Sequence, residues 1–466
     1  MDKRAIAAIA SGVIIVIVLA AVVLHSGGFI GGDEGPGLID FDPERAGNDV
    51  KALVQNGPRM TGTEGELLGA EYIASQFREA GLSDVHIESF PHMLFDVRSA
   101  EVSLVEYGPL MSVPRPLGST IQFTHIEDFV MQGFSGSYDW NNFRDDLVVV
   151  NVGNGTDEDA FSQVQGSAVL VEQTETTPSN TELFRLADSS GARALILQNL
   201  LRGDEIGNLP IFKSTEAPDG SGDYPDIPFF MVSKDVGDTI MENSGSHKLR
   251  LNIDVWIGEG EVRVVVGDLK GVKDPNRFVV IGAHHDTCYN TIGVVDNTVG
   301  TATVIEMARN MAKYKTADTI RFCTFGGEEE GLYGSMAYYD AHRAEFKDNV
   351  EVYMNFDMPH ADREALHITI TTSMNSSIPR MERYRSELLD TESSLAKYKI
   401  DIIYESMYWA GSDHWPFTSN GHQAMGGWGS GSAEYHTYED DLDHLNAESL
   451  QICGRIMGTY AIYTAS

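Results

Sequence analysis

The sequence predicts an α/β fold, a mixed, mostly parallel sheet flanked by helices and interrupted by an inserted unit. From residue 262 onward, apolar runs of strand length alternate with segments of helical period, as expected for a parallel sheet covered on both faces. Three of those runs end at or just before acidic or imidazole side chains, at His284, Glu328 and Asp357. Open α/β sheets keep their chemistry outside the carboxyl ends of their strands. At 466 residues the chain exceeds one ordinary core, so two units, or one large unit with an insertion, are expected.

At the amino end, Lys3 and Arg4 precede residues 5–24, which are apolar apart from Ser11 and Gly12. That run is long enough to cross a bilayer as a helix. The positive charge ahead of it predicts a cytoplasmic amino terminus and an extracytoplasmic remainder. A cleaved signal peptide, which would give a secreted protein, is the competing reading. The run is long for a signal core, and no clear small-x-small site follows Leu24. Residues 27–37, rich in Gly and acidic side chains, read as a tether, so 1–38 is expected to be a single-pass anchor in the cell membrane plus its linker.

Residues 39–129 read as the first part of the catalytic unit. Thr63 and Glu66 form a capping-box pattern ahead of Ala70, Ile73, Phe77 and Ala80, and Gly81 is a natural stop. Residues 85–90 and 100–107 alternate like strands. The texture then changes: 130–258 holds short strands at 168–171 and 229–232, a helix leading into a strand over 183–197, and a loop over 210–228. Nothing there gathers His, Cys or clustered carboxylates, so it reads as a non-catalytic insertion. Residues 259–466 carry the alternation: strands at 278–283, 319–325, 350–356 and 366–371, and helices at 301–313 and 450–463.

A formal charge of -36 argues against nucleic acid as a partner, because phosphate binding needs a basic surface. Three cysteines give no disulfide framework. Cys323 and Cys453 sit in apolar segments as small hydrophobes, and Cys288 lies two residues past Asp286, where carboxylate and imidazole ligands already suffice for a metal.

The candidate chemistry starts at V-I-G-A-H-H-D-T, residues 280–287. His284 and Asp286 share parity on an extended strand, so one can bind a metal while the other orients its ring, and His285 points away. Asp296 suits either a helix cap or a carboxylate bridging two metals, and Asn297 or Thr298 can take over the cap. Glu328, Glu329 and Glu330 lie between glycines after a buried strand; adjacent glutamates suit one metal ligand and one proton acceptor. Asp357 ends another strand. His436 competes with His360, His414 and His444 for the second imidazole position, and composition does not choose among them.

The ordered motifs H-H-D-T (284–287), V-D-N (295–297), G-E-E-E-G-L-Y-G-S (327–335), N-F-D-M (355–358), S-D-H-W-P-F (412–417) and Y-H-T-Y-E-D (435–440) resemble the aminopeptidase S and aminopeptidase Y family of co-catalytic zinc metallopeptidases. That family also contains glutamate carboxypeptidase and the inactive transferrin receptor. The likeness runs from about residue 39 to the end and includes G-P-R-M-T-G at 57–62, while 130–258 is similar to a β-rich protease-associated domain. The resemblance implies a zinc-exopeptidase-like fold and two zinc ions. It makes His284 and Asp357 ligands of one, Glu329 and His436 ligands of the other, and Asp296 the bridge. It makes Glu328 the general base, Tyr435 the polariser of the scissile carbonyl, Asp286 the partner of His284, and Asp413 with His414 a structural segment. M-P-H at 358–360 departs from the small residue and glycine usual there, a change expected at the substrate rim.

The expected reaction is hydrolysis of a peptide bond, releasing amino-terminal residues. A carboxypeptidase acting on acidic peptides is the alternative within the family; the catalytic half offers few Arg or Lys beside the motifs, whereas Glu330, Glu434, Glu439 and Asp440 suit a free amine. A tethered binding protein on a dead peptidase scaffold is the alternative outside it.

Overall fold

The computed structural model describes residues 37–107, 116–201, 208–218, 224–431 and 434–466. The expected anchor at 5–24 lies outside the described residues, among which no helix is long and apolar enough to cross a membrane.

The first helices are Pro43–Val54 and Glu64–Ala80. The second starts and stops as the sequence predicts: Thr63 Oγ1 accepts from the Glu66 N–H (3.3 Å), and Gly81 takes a left-handed conformation at φ 92°. The Glu66 carboxylate does not complete a capping box, because it is buried against His285 and Arg263 instead.

Two long strands follow, β1 (Ser83–Tyr107) and, after the insertion, β8 (His247–Leu269), paired antiparallel from Ser83↔Asp268 to Glu106↔His247. Between them come β2 (Pro116–Phe123), β3 (Phe129–Met131), β4 (Val149–Asn151), β5 (Ala168–Gln173), β6 (Ala194–Asn199) and β7 (Phe229–Val232). The rest of the chain supplies β9 (Asp274–His284), β10 (Asp318–Phe325), β11 (Val350–Phe356), β12 (His367–Thr372), β13 (Lys399–Tyr404) and β14 (Ala424–Gly429).

The main sheet has nine strands in the order β13-β12-β14-β11-β9-β10-β8-β1-β2. Its centre, β14-β11-β9-β10, is parallel, as is β12-β13, and the remaining pairs are antiparallel. The inserted region forms its own five-stranded sheet, β3-β7-β6-β5-β4, parallel except for β3-β7, with helices Asn180–Ser189 and Lys234–Asn243. Residue 258, where the sequence suggested a boundary, lies inside β8, which runs through without a break. Gly258 and Gly260 are covered rather than turned: a Cβ there would stand 2.4 Å from the Trp256 ring and 2.3 Å from Leu94.

Alternation along β9 divides the core. Val279, Ile281 and Ala283 join the cluster under helices Glu64–Ala80, Val299–Met311 and Ala447–Thr464, while Phe278 and Val280 join Tyr338, Phe346 and Phe417 on the opposite face. Each valine, isoleucine or phenylalanine among them contributes about 1.5–3 kcal/mol by leaving water. The same parity sends His285 toward the helix that holds Glu66 and leaves His284 on the other side. The β1–β8 ribbon belongs to both lobes: Val264, Val265 and Val266 pack in the main cores, and Phe95, Leu249 and Ile253 pack with Phe129, Ile196 and Phe230 of the insertion.

Candidate metal centre

His284 closes β9, with Asp357 just past the end of the neighbouring strand β11 and the glutamates just past β10. The helix Val299–Met311 begins two residues earlier than its apolar pattern suggests. Asn297 Oδ1 accepts from Gly300 N–H (3.1 Å) and from Met358 N–H (2.9 Å), so the cap and the strand end share one amide. Only glycine fits at 300, where a Cβ would stand 2.3 Å from the Phe356 carbonyl oxygen. This close approach brings Asp296 up to Asp357.

The two oxygens of Asp296 face two imidazoles. Oδ1 lies 3.2 Å from His284 Nε2, and Oδ2 lies 3.0 Å from His436 Nε2. His284 Nε2 is also 3.4 Å from Asp357 Oδ1, and His436 Nε2 is 2.8 Å from Glu329 Oε2. His284, Glu328 and Asp357 each place a ligating atom within 4.8 Å of the others, as do His284, Asp296 and Glu329, and also Cys288, Glu329 and His436. Cys288 is thus within reach of the centre, as its position two residues past Asp286 suggests, although burial pushes its thiol well above the usual range and keeps it neutral.

The second ring nitrogens are fixed. His284 Nδ1 lies 3.2 Å from the Asp286 carbonyl oxygen and 3.4 Å from its Oδ1. Asp286 Oδ2 also accepts from Glu329 N–H (3.2 Å) and Thr61 (3.3 Å). His436 Nδ1 donates to the Phe212 carbonyl (2.8 Å), which leaves Nε2 as the lone-pair side of the ring. Its backbone sits at φ 60°, and its carbonyl accepts from Asn290 Nδ2 (2.9 Å).

Around this centre negative charge is in excess. Burial opposes the charged form of His284, yet Glu328, Asp286, Asp296 and Asp357 hold its pKa well above the ordinary value. Burial likewise opposes charge on His436, and Glu329 and Asp296 prevail. Asp296 is buried too, and its two histidines nevertheless hold it well below the usual carboxylate range. Burial, with Asp357 and Glu329 nearby, drives Glu328 well upward, and burial with Asp286 and Asp357 raises Asp413 to about 7. Nε2 of His436 and one oxygen each of Glu329 and Asp357 are buried without a hydrogen-bond partner. Two imidazoles and hard carboxylates, with orphaned ligand atoms around one shared carboxylate, fit a pair of divalent cations.

All eight sequence-assigned residues, His284, Asp286, Asp296, Glu328, Glu329, Asp357, Tyr435 and His436, meet here. The rival histidines do not. His360 accepts from Asn446 N–H (2.7 Å), and burial lowers His360 and His414 to about 4, while His444 pairs with Glu434 at 3.5 Å. At 358–360, where a changed rim is expected, the Met358 N–H donates to Asn297 Oδ1 beside the centre (2.9 Å). Asp440 does not face a substrate amine, because it is buried and accepts from Val295 N–H (2.8 Å) and Asp296 N–H (3.0 Å), bracing the bridging loop.

Three contributors escaped the sequence reading. Fully buried Arg59 spans the motif loops: its Nε donates to the His285 carbonyl (2.9 Å), its other nitrogens reach Ile292 O and Thr298, and burial lowers its pKa to about 10. Phe212 and Lys213 come from the insertion, which is therefore not a bystander. Lys213 Nζ donates to Tyr435 Oη at 2.7 Å. The segment 213–218 walls a cleft of about 670 Å³ whose floor holds Glu328, Glu329, Tyr435 and His436.

Residues 264–461 match the model of Peptidase family M28. Aminopeptidase YwaD of Bacillus subtilis strain 168 is 27% identical over 436 residues, covering 92% of this chain and 86% of that protein. The probable glutamate carboxypeptidase LAMP1 of Arabidopsis thaliana is 30% identical over 219 residues, or 43% of this chain and 30% of that one. Among solved structures, BSAP, a zinc aminopeptidase from Bacillus subtilis, superposes with a TM-score of 0.69 at 22% identity, covering 92% and 95% of the two chains. A peptidase M28 precursor from Shewanella amazonensis SB2B gives 0.70 at 18% identity over 91% and 93%. At these identities the structures establish a shared fold.

Proposed function

From a catalytic half that belongs to peptidase family M28 over residues 264–461, we propose that this protein is a two-zinc aminopeptidase held at the outer face of a membrane. The observation that carries the reading is the single Asp296 carboxylate facing His284 and His436, each with its own second carboxylate, Asp357 and Glu329. These five side chains would hold the ions. When bound, such ions polarise a carbonyl and make water a competent nucleophile near neutral pH.

The chain's own groups do the rest. Glu328 accepts a proton from the attacking water and returns it to the leaving amine. The Tyr435 hydroxyl, on the cleft floor, donates to the oxygen that gains charge as the peptide carbonyl becomes tetrahedral. Asp286 and the Phe212 carbonyl keep the two imidazoles in register.

A free amino end suits the cleft better than a free carboxylate. Among its described lining residues there is no arginine, and the one lysine, Lys213, is engaged by Tyr435. Leucine amide and amino-unblocked peptides are therefore expected to be cleaved from the amino end, and amino-acetylated peptides left intact. Loss of the carboxyl-terminal residue from the acetylated peptides would instead establish the carboxypeptidase reading.

The same reading assigns 130–258 to a protease-associated insertion and 1–38 to an uncleaved anchor and tether with the catalytic part extracytoplasmic. Full-length protein is expected to stay in the membrane pellet after alkaline carbonate washing, and a chain without residues 1–38 to leave it. Release of the intact full-length chain would refute the anchor.

A further inference from the structure

Lys213 belongs to the inserted lobe, yet its ammonium enters the catalytic floor. Its main-chain N–H donates to Gln132 Oε1 (3.0 Å), and the fully buried Gln132 side chain donates in turn to the Ile211 carbonyl (2.9 Å). The residue before it holds His436 through the Phe212 carbonyl, and the Phe212 N–H donates back to the His436 carbonyl (3.4 Å). The lobe thus delivers this side chain from a fixed backbone. Nζ donates to Tyr435 Oη at 2.7 Å and stands 4.6 Å from the centroid of its ring. That ring is stacked on His436, centroids 3.7 Å apart and planes 19° from parallel.

A phenol whose oxygen accepts from a cation is polarised and becomes a stronger donor through its own O–H, the more so away from bulk water. The cation also fixes where the phenol points. Preorganised donors aimed at a developing oxyanion act mainly on the chemical step. Resting on the reading of Tyr435 as the carbonyl-polarising group, we infer that Lys213 is a positioning residue for Tyr435, so that the inserted lobe supplies part of the oxyanion-stabilising machinery of the cleft.

The test is steady-state hydrolysis of leucine 4-nitroanilide by the full-length zinc-loaded chain. Lys213→Met is expected to lower kcat by about 10- to 100-fold with KM within about threefold of the parent, because transition-state rather than ground-state binding is lost. Lys213→Arg, still cationic and able to reach a phenol oxygen, recovers most of the loss. Tyr435→Phe lowers kcat at least as far, and adding Lys213→Met to it costs nothing further, as expected of two groups that act as one. Unchanged kcat in Lys213→Met, or an equal further loss in the Tyr435→Phe background, overturns the inference while leaving Tyr435 in place. Unchanged kcat in Tyr435→Phe overturns the reading of the tyrosine itself. Loss of zinc or of thermal stability in both Lys213 variants marks a brace between lobes and also overturns the inference.

Discussion

Glu328→Gln is expected to abolish turnover almost completely, with kcat falling by about 10³- to 10⁴-fold, while zinc content stays near that of the parent. Glutamine keeps the volume and the cleft-floor position of Glu328 but cannot accept a proton. The ligand sets survive, since Asp357, Asp296 and Glu329 still face the imidazoles. Burial and the nearby Asp357 and Glu329 make the Glu328 charge costly in the metal-free chain, so the variant is expected to melt no lower than the parent when stripped of metal. Full activity in Glu328→Gln would remove it as the base. Loss of zinc would instead make it a ligand, for which its distance from His284 and Asp357 leaves room.

Asp296→Ala is expected to do the opposite, losing metal first and activity with it. One carboxylate serves both imidazoles, so its removal weakens both ion positions at once, by more than the roughly 10- to 100-fold typical of losing a group that merely orients a ligand. Measured zinc per chain should drop below that of the parent at equal free zinc, and activity should fall to background. A variant that keeps two zinc ions and its kcat would take Asp296 out of the bridge. Asp440 offers an internal comparison, because it braces the Asp296 backbone without facing an imidazole.

Most of the centre was legible because its parts sit at the ends of apolar runs, where a period of two fixes the side-chain direction. His284, Asp357 and the Glu328–Glu329 pair stand out as candidates at or just past strand ends, and the resemblance assigns their roles. His436 did not come from periodicity: it follows no strand, and its backbone is left-handed, so only the resemblance selected it over His360, His414 and His444. The insertion was misjudged for a physical reason. Its contribution to the centre is one backbone carbonyl and one lysine, and neither forms a pattern visible along the chain. Asp440 reads in the sequence as a group for a substrate amine because its actual partners, two main-chain N–H groups some 145 positions away, have no sequence signature. The boundary drawn near 258 rested on the lack of clustered His, Cys or carboxylates before it and the regular alternation after it, a pattern that does not reveal one strand running through both units.

The β1–β8 ribbon has a consequence for how the two lobes are joined. Two paired strands pass, with a register shift at Val97–Ser99, from the core under the metal centre to the core of the inserted lobe, and Tyr138 and Leu147 of the insertion bridge to Ile253 and Leu249 of β8. No loop hinge lies between wall and floor along that path. The inserted lobe is therefore tied to the main one by a shared ladder of sheet hydrogen bonds as well as by apolar contacts, and pulling the lobes apart means breaking both.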